Sequence, residues 1–152
     1  MEGFGRLGDA RTMSVLLVED DPGDTLMITE ALQALVPATT VAAVGDGVEA
    51  LRYLRRQGEF AGTRRPDLVL LDLNMPRKDG REVLAEVKSD ADLCSIPVVV
   101  LTTSDSVQDI RHSYELHANA YVTKPSDFDD FATVVAYIER FFGQVAQPPP
   151  TN

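Results

Sequence analysis

One cysteine, Cys94, stands in a chain of 152 residues. A lone thiol cannot close an internal disulfide, so the fold must rest on an apolar core. Cys94 is expected to be a small, partly buried apolar residue, and this cysteine usage fits a reducing cytoplasm. No apolar run approaches the roughly 18 residues of a membrane span. The first dozen residues carry Glu2, Arg6, Asp9 and Arg11 and no apolar stretch, which argues against a secretory leader. Basic residues are scarce: 14 Lys and Arg face 24 Asp and Glu, for a net charge of -10. That balance argues against binding nucleic acid through its phosphates and predicts good solubility. The two histidines, His112 and His117, are five apart on a predicted helix, a poor spacing for sharing a metal. There is no internal repeat and no glycine-rich phosphate loop after the first apolar run.

What is present is organised around Pro66-Asp67-Leu68-Val69-Leu70-Leu71-Asp72-Leu73-Asn74-Met75-Pro76. Its apolar residues do not alternate with polar ones, as in a strand covered on both faces of a parallel sheet. The run ends at Asp72, and Pro76 prevents its continuation as a strand. A carboxylate at the carboxyl end of a central strand lies where open α/β sheets place ligands.

Around this stretch the chain alternates strand and helix five times. Strands are expected at 14–18, 39–44, 68–71, 98–101 and 120–123. The first helix is expected to start with Asp24 as N-cap and to bury Met27, Ile28, Ala31, Leu32 and Leu35. Asp46 and Glu49 have the spacing of a capping box before a second helix that buries Val48, Leu51 and Leu54. A third helix buries Val83, Leu84 and Val87, and a fourth, over 107–117, turns Ile110, Tyr114 and His117 inward. Ser126 or Asp127 caps the fifth, which buries Phe128, Phe131, Val135, Ile138 and Phe142. Residues 1–13 read as a disordered tail, with Met13 a second candidate start. Residues 143–152, with prolines at 148–150, read as a disordered proline-rich tail, leaving one domain over 14–142. Alternating β and α with right-handed crossovers implies a flavodoxin-like (βα)5 fold, its five parallel strands in the order 2-1-3-4-5 with helices on both faces.

In that order the strand ends meet at one edge. The first strand delivers Glu19, Asp20 and Asp21, the third Asp72, the fourth Thr102 and the fifth Lys124. Crowded carboxylates repel unless a cation neutralises them, and hard oxygen ligands suit Mg²⁺. A carboxylate can also be a nucleophile toward a phosphoryl group, with a lysine and a hydroxyl to hold the transferred oxygens.

Val18-Glu19-Asp20-Asp21-Pro22, Asp72-Leu73-Asn74-Met75-Pro76 with Asp79-Gly80, Thr102, and Tyr121-Val122-Thr123-Lys124-Pro125 together resemble the receiver domains of two-component response regulators. The resemblance covers about residues 14–142. It implies that Asp72 is the phospho-acceptor and that Asp20 ligates Mg²⁺ (or Mn²⁺) directly, with Glu19 acting mostly through water. It further implies the main-chain carbonyl of Asn74 as a ligand, Thr102 and Tyr121 as switch residues, Lys124 on the phosphate, and a cis peptide between Lys124 and Pro125. The implied donor is the phosphohistidine of a sensor histidine kinase, and the only catalysis is of the chain's own phosphorylation and dephosphorylation. Three stretches, 54–60, 80–88 and 112–117, resemble small single-domain regulators that serve phytochrome-type kinases. With no output domain expected, the signal leaves by protein–protein contact with an unidentified downstream target.

Other functions fit less well. A phosphatase with an aspartyl nucleophile needs an acid/base carboxylate two residues after it, on the first strand; here Asn74 has that place and the motif is on the third. Asn74 and Ser104, each two residues beyond a site residue, are expected to flank the path of the water that hydrolyses the phosphoryl group. On the fifth helix Val134, Tyr137 and Phe141 form a second apolar stripe that one domain does not need, an expected interface. The resemblance agrees with a homodimer through helix four, strand five and helix five.

Overall fold

The computed structural model describes residues 12–150. Among them are β1 (Ser14–Val18), α1 (Pro22–Leu35), β2 (Thr40–Val44), α2 (Gly47–Leu54), a 3-10 turn (Gly58–Phe60) and β3 (Leu68–Leu71). Then follow α3 (Gly80–Ser89), β4 (Val98–Thr102), α4 (Val107–Glu115), β5 (Ala120–Thr123) and α5 (Phe128–Arg140). The sheet is five-stranded and parallel, in the order β2-β1-β3-β4-β5, as expected.

Every residue of β1, β3 and β4 is buried, because successive side chains feed two cores. Leu16, Val18, Val69, Leu71, Val98 and Val100 pack with α2 and α3. Val15, Leu17, Leu68, Leu70, Val99 and Leu101 pack with Met27, Ile28 and Leu32 of α1 and Phe131, Val135 and Ile138 of α5. A one-residue slip of a central strand would exchange its two core sets, so packing fixes the register. Val18 lies opposite Leu71, Leu71 opposite Val100, and Thr102 opposite Thr123. The residues just beyond those pairs are therefore level at one edge.

The helix starts are chemically specified. Asp21, not Asp24, caps α1: its side chain accepts the Gly23 N–H, and Pro22 takes the first helical position, where no N–H is needed. Asp46 caps α2 by accepting from the Glu49 N–H. Asp79 and Glu82 make a reciprocal capping box at α3, and Asp127 caps α5.

Several side chains lie elsewhere than expected. Met13 is buried in the α1/α5 core, so the ordered chain begins before β1; residues 1–11 lie outside the described residues. Leu35 is exposed at the last turn of α1, and Cys94 is exposed too. The only buried residue of α4 is Ser113, while Tyr114 and His117 face outward. The Tyr114 hydroxyl accepts the Tyr121 N–H at 3.1 Å, which satisfies a donor on the outer edge of β5. His117 ends the helix in a left-handed conformation, φ 72°. Phe128 is 64% exposed, because a helical period gives the angular face of a residue but not how far along the axis the sheet reaches.

The expected C-terminal tail is partly structured. A π turn, Phe141–Val145, extends α5 and buries Gly143. Pro149 and Pro150 line a cleft of about 890 Å³ with Arg64, Arg65, Asp67 and Pro97, at the amino edge of the sheet. None of the helices in the described residues is long and apolar enough to cross a membrane.

Candidate phosphoryl-acceptor site

The carboxyl edge gathers Glu19 after β1, Asp72 after β3, Thr102 at the end of β4 and Lys124 after β5, all buried. Asp72 is held from both sides: its own N–H donates to the Val18 carbonyl at 3.0 Å, and its Oδ1 lies 3.3 Å from the Asn74 N–H.

Two glycines seat the loop that follows. A Cβ on Gly80 would lie 2.1 Å from the Asp72 carbonyl oxygen and 2.7 Å from the Leu73 Cα. A Cβ on Gly47 would lie 2.0 Å from the Lys78 carbonyl oxygen. Backbone therefore packs on backbone at both helix starts. Arg77, in a left-handed conformation (φ 64°), donates to both carboxylate oxygens of Asp46 at 3.0 and 3.1 Å. Such a conformation costs a non-glycine residue roughly 1–2 kcal/mol, which a bidentate pair can offset. Asp46 thus serves twice, as the cap of α2 and as the clamp on the loop after Asp72.

Lys124 is the hub. Its ammonium lies 2.5 Å from Glu19 Oε1, 2.8 Å from Asp24 Oδ2 and 3.4 Å from Asp72 Oδ2. Burial works to lower the Lys124 pKa, but the bonds to Asp24 and Glu19 outweigh it and hold the ammonium charged. Burial raises the Glu19 carboxyl to about 7, against the opposing pull of Lys124 and of the Asp21 N–H.

Glu19, Asp20 and Asp72 offer carboxylate oxygens that all lie within 4.8 Å of one another. With Asp24 the corner holds four carboxylates, three of them bonded to the one ammonium, and when all are ionised they exceed it by three negative charges. An all-oxygen set of this kind fits a hard divalent cation, with exposed Asp20 open to it. The Thr102 hydroxyl is fully buried and has no hydrogen-bond partner. Such an orphan is costly, and a phosphoryl oxygen is a partner it could take up.

Tyr121 is half-buried, and its hydroxyl donates to the Ser104 carbonyl at 2.8 Å. The Ser104 hydroxyl donates to Asp109 Oδ2 at 2.6 Å, tying the loop after β4 to the start of α4. Arg81 of α3 donates to Asp109 at 2.8 and 3.1 Å. The Ser104 hydroxyl and the Arg81 guanidinium hold the Asp109 carboxyl below its ordinary range. One chain of contacts therefore runs from the start of α3 through α4 to β5.

The expectation of a cis peptide at Lys124–Pro125 is not met; there is no cis peptide bond among the described residues. The two isomers of an X–Pro bond differ by only about 0.5–1 kcal/mol, so a proline permits cis without imposing it. Val134, Tyr137 and Phe141 are not part of this site; they lie along α5 and the turn beyond it. The sequence reading missed Asp24 as a Lys124 partner, the Asp46–Arg77 clamp, and the Arg81–Asp109 pair. Asp24 alone left a trace, a first-turn acid near the acidic loop, and it was assigned to capping.

The chain is similar to characterised proteins over most of its length. Residues 15–136 match the model of the response regulator receiver domain. Response regulator Rcp1 of Synechocystis sp. is 45% identical over 135 residues, 89% of this chain and 92% of that protein. The crystal structure of the phosphorylated cyanobacterial phytochrome response regulator RcpA superposes with a TM-score of 0.89 at 49% identity, covering 92% of this chain and 100% of that one. The Mn²⁺-bound form of response regulator Rcp1 gives a TM-score of 0.87 at 44% identity, over 91% of this chain and 99% of that one. With its fold, its strand-end residues and these likenesses in agreement, the chain belongs to the response regulator receiver domain family.

Proposed function

We propose that this receiver accepts a phosphoryl group on Asp72 from a phosphohistidine of a sensor histidine kinase and signals through its surface. The observation that carries the reading is the buried Asp72 carboxylate, 3.4 Å from Lys124 and within 4.8 Å of the Glu19 and Asp20 oxygens. An oxygen of ionised Asp72 attacks phosphorus, an O–P bond forms and the P–N bond of the donor breaks. The bonding pair leaves with the imidazole nitrogen, which takes a proton from solvent. Lys124 offsets charge on the transferred oxygens, and the Thr102 hydroxyl donates to one of them. Asp20 and Asp72, the Asn74 main-chain carbonyl, and Glu19 through water would hold Mg²⁺, with Mn²⁺ a substitute. A bound divalent cation supplies positive charge against the phosphoryl oxygens. Loss of the phosphoryl group is the chain's own slow-to-moderate hydrolysis, since neither Asn74 nor Ser104 is a good general base.

Incubation with Mg²⁺ and a small phosphodonor, followed by intact mass, tests the assignment. The native chain gains one phosphoryl mass and Asp72→Asn gains none; equal gain in both removes Asp72 from the role. The kinase is proposed to be phytochrome-type, because the similar RcpA is a phytochrome response regulator. The absence of a membrane-crossing helix among the described residues and the lone exposed cysteine are consistent with a cytoplasmic setting.

We further propose that copies pair, or a target docks, at Val134, Tyr137 and Phe141. Tyr137 is 68% and Phe141 52% exposed, and exposed Val145 continues the stripe. In sedimentation, native chain at high concentration forms dimers, and Tyr137→Glu with Phe141→Glu gives a folded monomer that still phosphorylates. A native chain that stays monomeric with or without phosphoryl donor removes self-pairing.

A further inference from the structure

Lys124 holds more partners than the proposed chemistry requires. An ammonium has three protons to donate. Here each has a carboxylate within reach: Glu19 at 2.5 Å, Asp24 at 2.8 Å and Asp72 at 3.4 Å. Phosphorylation turns the Asp72 carboxylate into an acyl phosphate, so that contact passes to the phosphoryl group, whose greater negative charge draws the ammonium away from its other two partners. Those two differ in what opening costs. The side chain of Glu19 is only 2% exposed, and that of Asp24 is 29% exposed. A buried carboxylate stripped of its cation is left desolvated and unpaired, whereas a part-exposed one regains water.

We propose that Asp24 is a positioning residue that competes with the phosphoryl group for Lys124, so that the ammonium leaves Asp24 when Asp72 is phosphorylated. The inference rests on Asp72 as phospho-acceptor. Asp24 belongs to the first turn of α1, and Lys124 lies 100 residues away, between β5 and α5. Their bond ties the start of α1 to that loop, and its release couples occupancy of Asp72 to the freedom of the first turn of α1. In the resting chain the same bond holds Lys124 extended in the site and lowers its availability to an incoming anion.

The test uses beryllium trifluoride, a tetrahedral anionic stand-in for a phosphoryl group on a carboxylate, with the full chain at saturating Mg²⁺ and detection by fluorine NMR. Asp24→Asn is expected to bind it about two- to fivefold more tightly than the native chain, the scale of one part-exposed ion pair. Asp24→Glu, which restores a carboxylate within reach, returns the Kd to the native value. Asp21→Asn removes the same charge from the α1 cap, where no bond to Lys124 exists, and gives a smaller gain. Equal or weaker binding by Asp24→Asn overturns the competition, and equal gains in Asp24→Asn and Asp21→Asn replace it with a general charge effect. A native chain that binds no more than Asp72→Asn overturns the phospho-acceptor reading itself, and this inference with it.

Discussion

Replacing Gly80 with alanine sets two effects of opposite sign against each other. Gly80 opens α3, and alanine is the better helix former by up to about 1 kcal/mol, less at a first-turn position. Propensity alone therefore predicts a gain. The space around the residue predicts a loss. The new Cβ would stand 2.1 Å from the Asp72 carbonyl oxygen, where ordinary contact begins at 3.4 Å, so the two backbones must part by about 1.3 Å. The obstructing atoms are backbone, which cannot rotate away as a side-chain tip can. Overpacking typically costs about 1–3 kcal/mol, and this contact belongs at the upper end. The expected net destabilisation is about 2 kcal/mol, read in urea as a fall in midpoint of roughly 1–2 M at the m-values of small domains. Gly45→Ala is the matched control, since a Cβ there meets nothing within 4 Å. It should leave the midpoint unchanged or slightly raised. A Gly80→Ala midpoint at or above the native value would refute the steric argument. A lowered midpoint with an unaltered rate of Asp72 phosphorylation would show that the strain does not reach the carboxylate.

Three further outcomes follow from contacts already described. Asp46→Ala removes both the cap of α2 and the Arg77 partner, and should lower stability by about 1–2 kcal/mol in a thermal melt; Arg77→Ala should lose less, because the cap survives. Asp109 has a folded pKa below the unfolded value near 3.8, so the stability it contributes is present above that value and is lost as pH falls through the folded pKa. Asp109→Asn should therefore give a shallower loss of stability below about pH 4 in acid unfolding followed by circular dichroism, and an unchanged acid limb would show that the pair contributes nothing. In calorimetric titration with Mn²⁺, Asp20→Asn should weaken binding more than Glu19→Gln, because Glu19 already serves Lys124 and the Asp21 N–H; the reverse order would exchange the two assignments.

The apolar runs at 68–71 and 98–101 made the central strands legible, because only strands covered on both faces are so uniformly apolar. Once their order followed, the meeting of Glu19, Asp72, Thr102 and Lys124 at one edge followed too. Side-chain choices between two good partners were not legible. A first-turn aspartate can cap its helix or reach an ion partner, and here Asp21 took the cap because Pro22 fixed the helix start one residue later. That left Asp24 for Lys124. The inner face of α4 was misread because Tyr114 is amphipathic: its hydroxyl found an edge-strand N–H, so its ring stays half in water. Gly47 and Gly80 read as turn residues, yet their task is to let two backbones touch, a relation between segments that no local pattern records.

The bond from the Tyr121 N–H to the Tyr114 hydroxyl has a consequence for solubility. β5 is the last strand of the sheet, and the outward donors of such a strand are a template on which another chain can add. In a strand of four residues, a hydroxyl parked on one interior donor interrupts the ladder that an incoming strand would need. A Tyr114→Phe chain would keep the ring and lose the stopper, leaving a longer uninterrupted row for edge-to-edge growth. The two tyrosines thus withhold one donor of this border from any incoming strand.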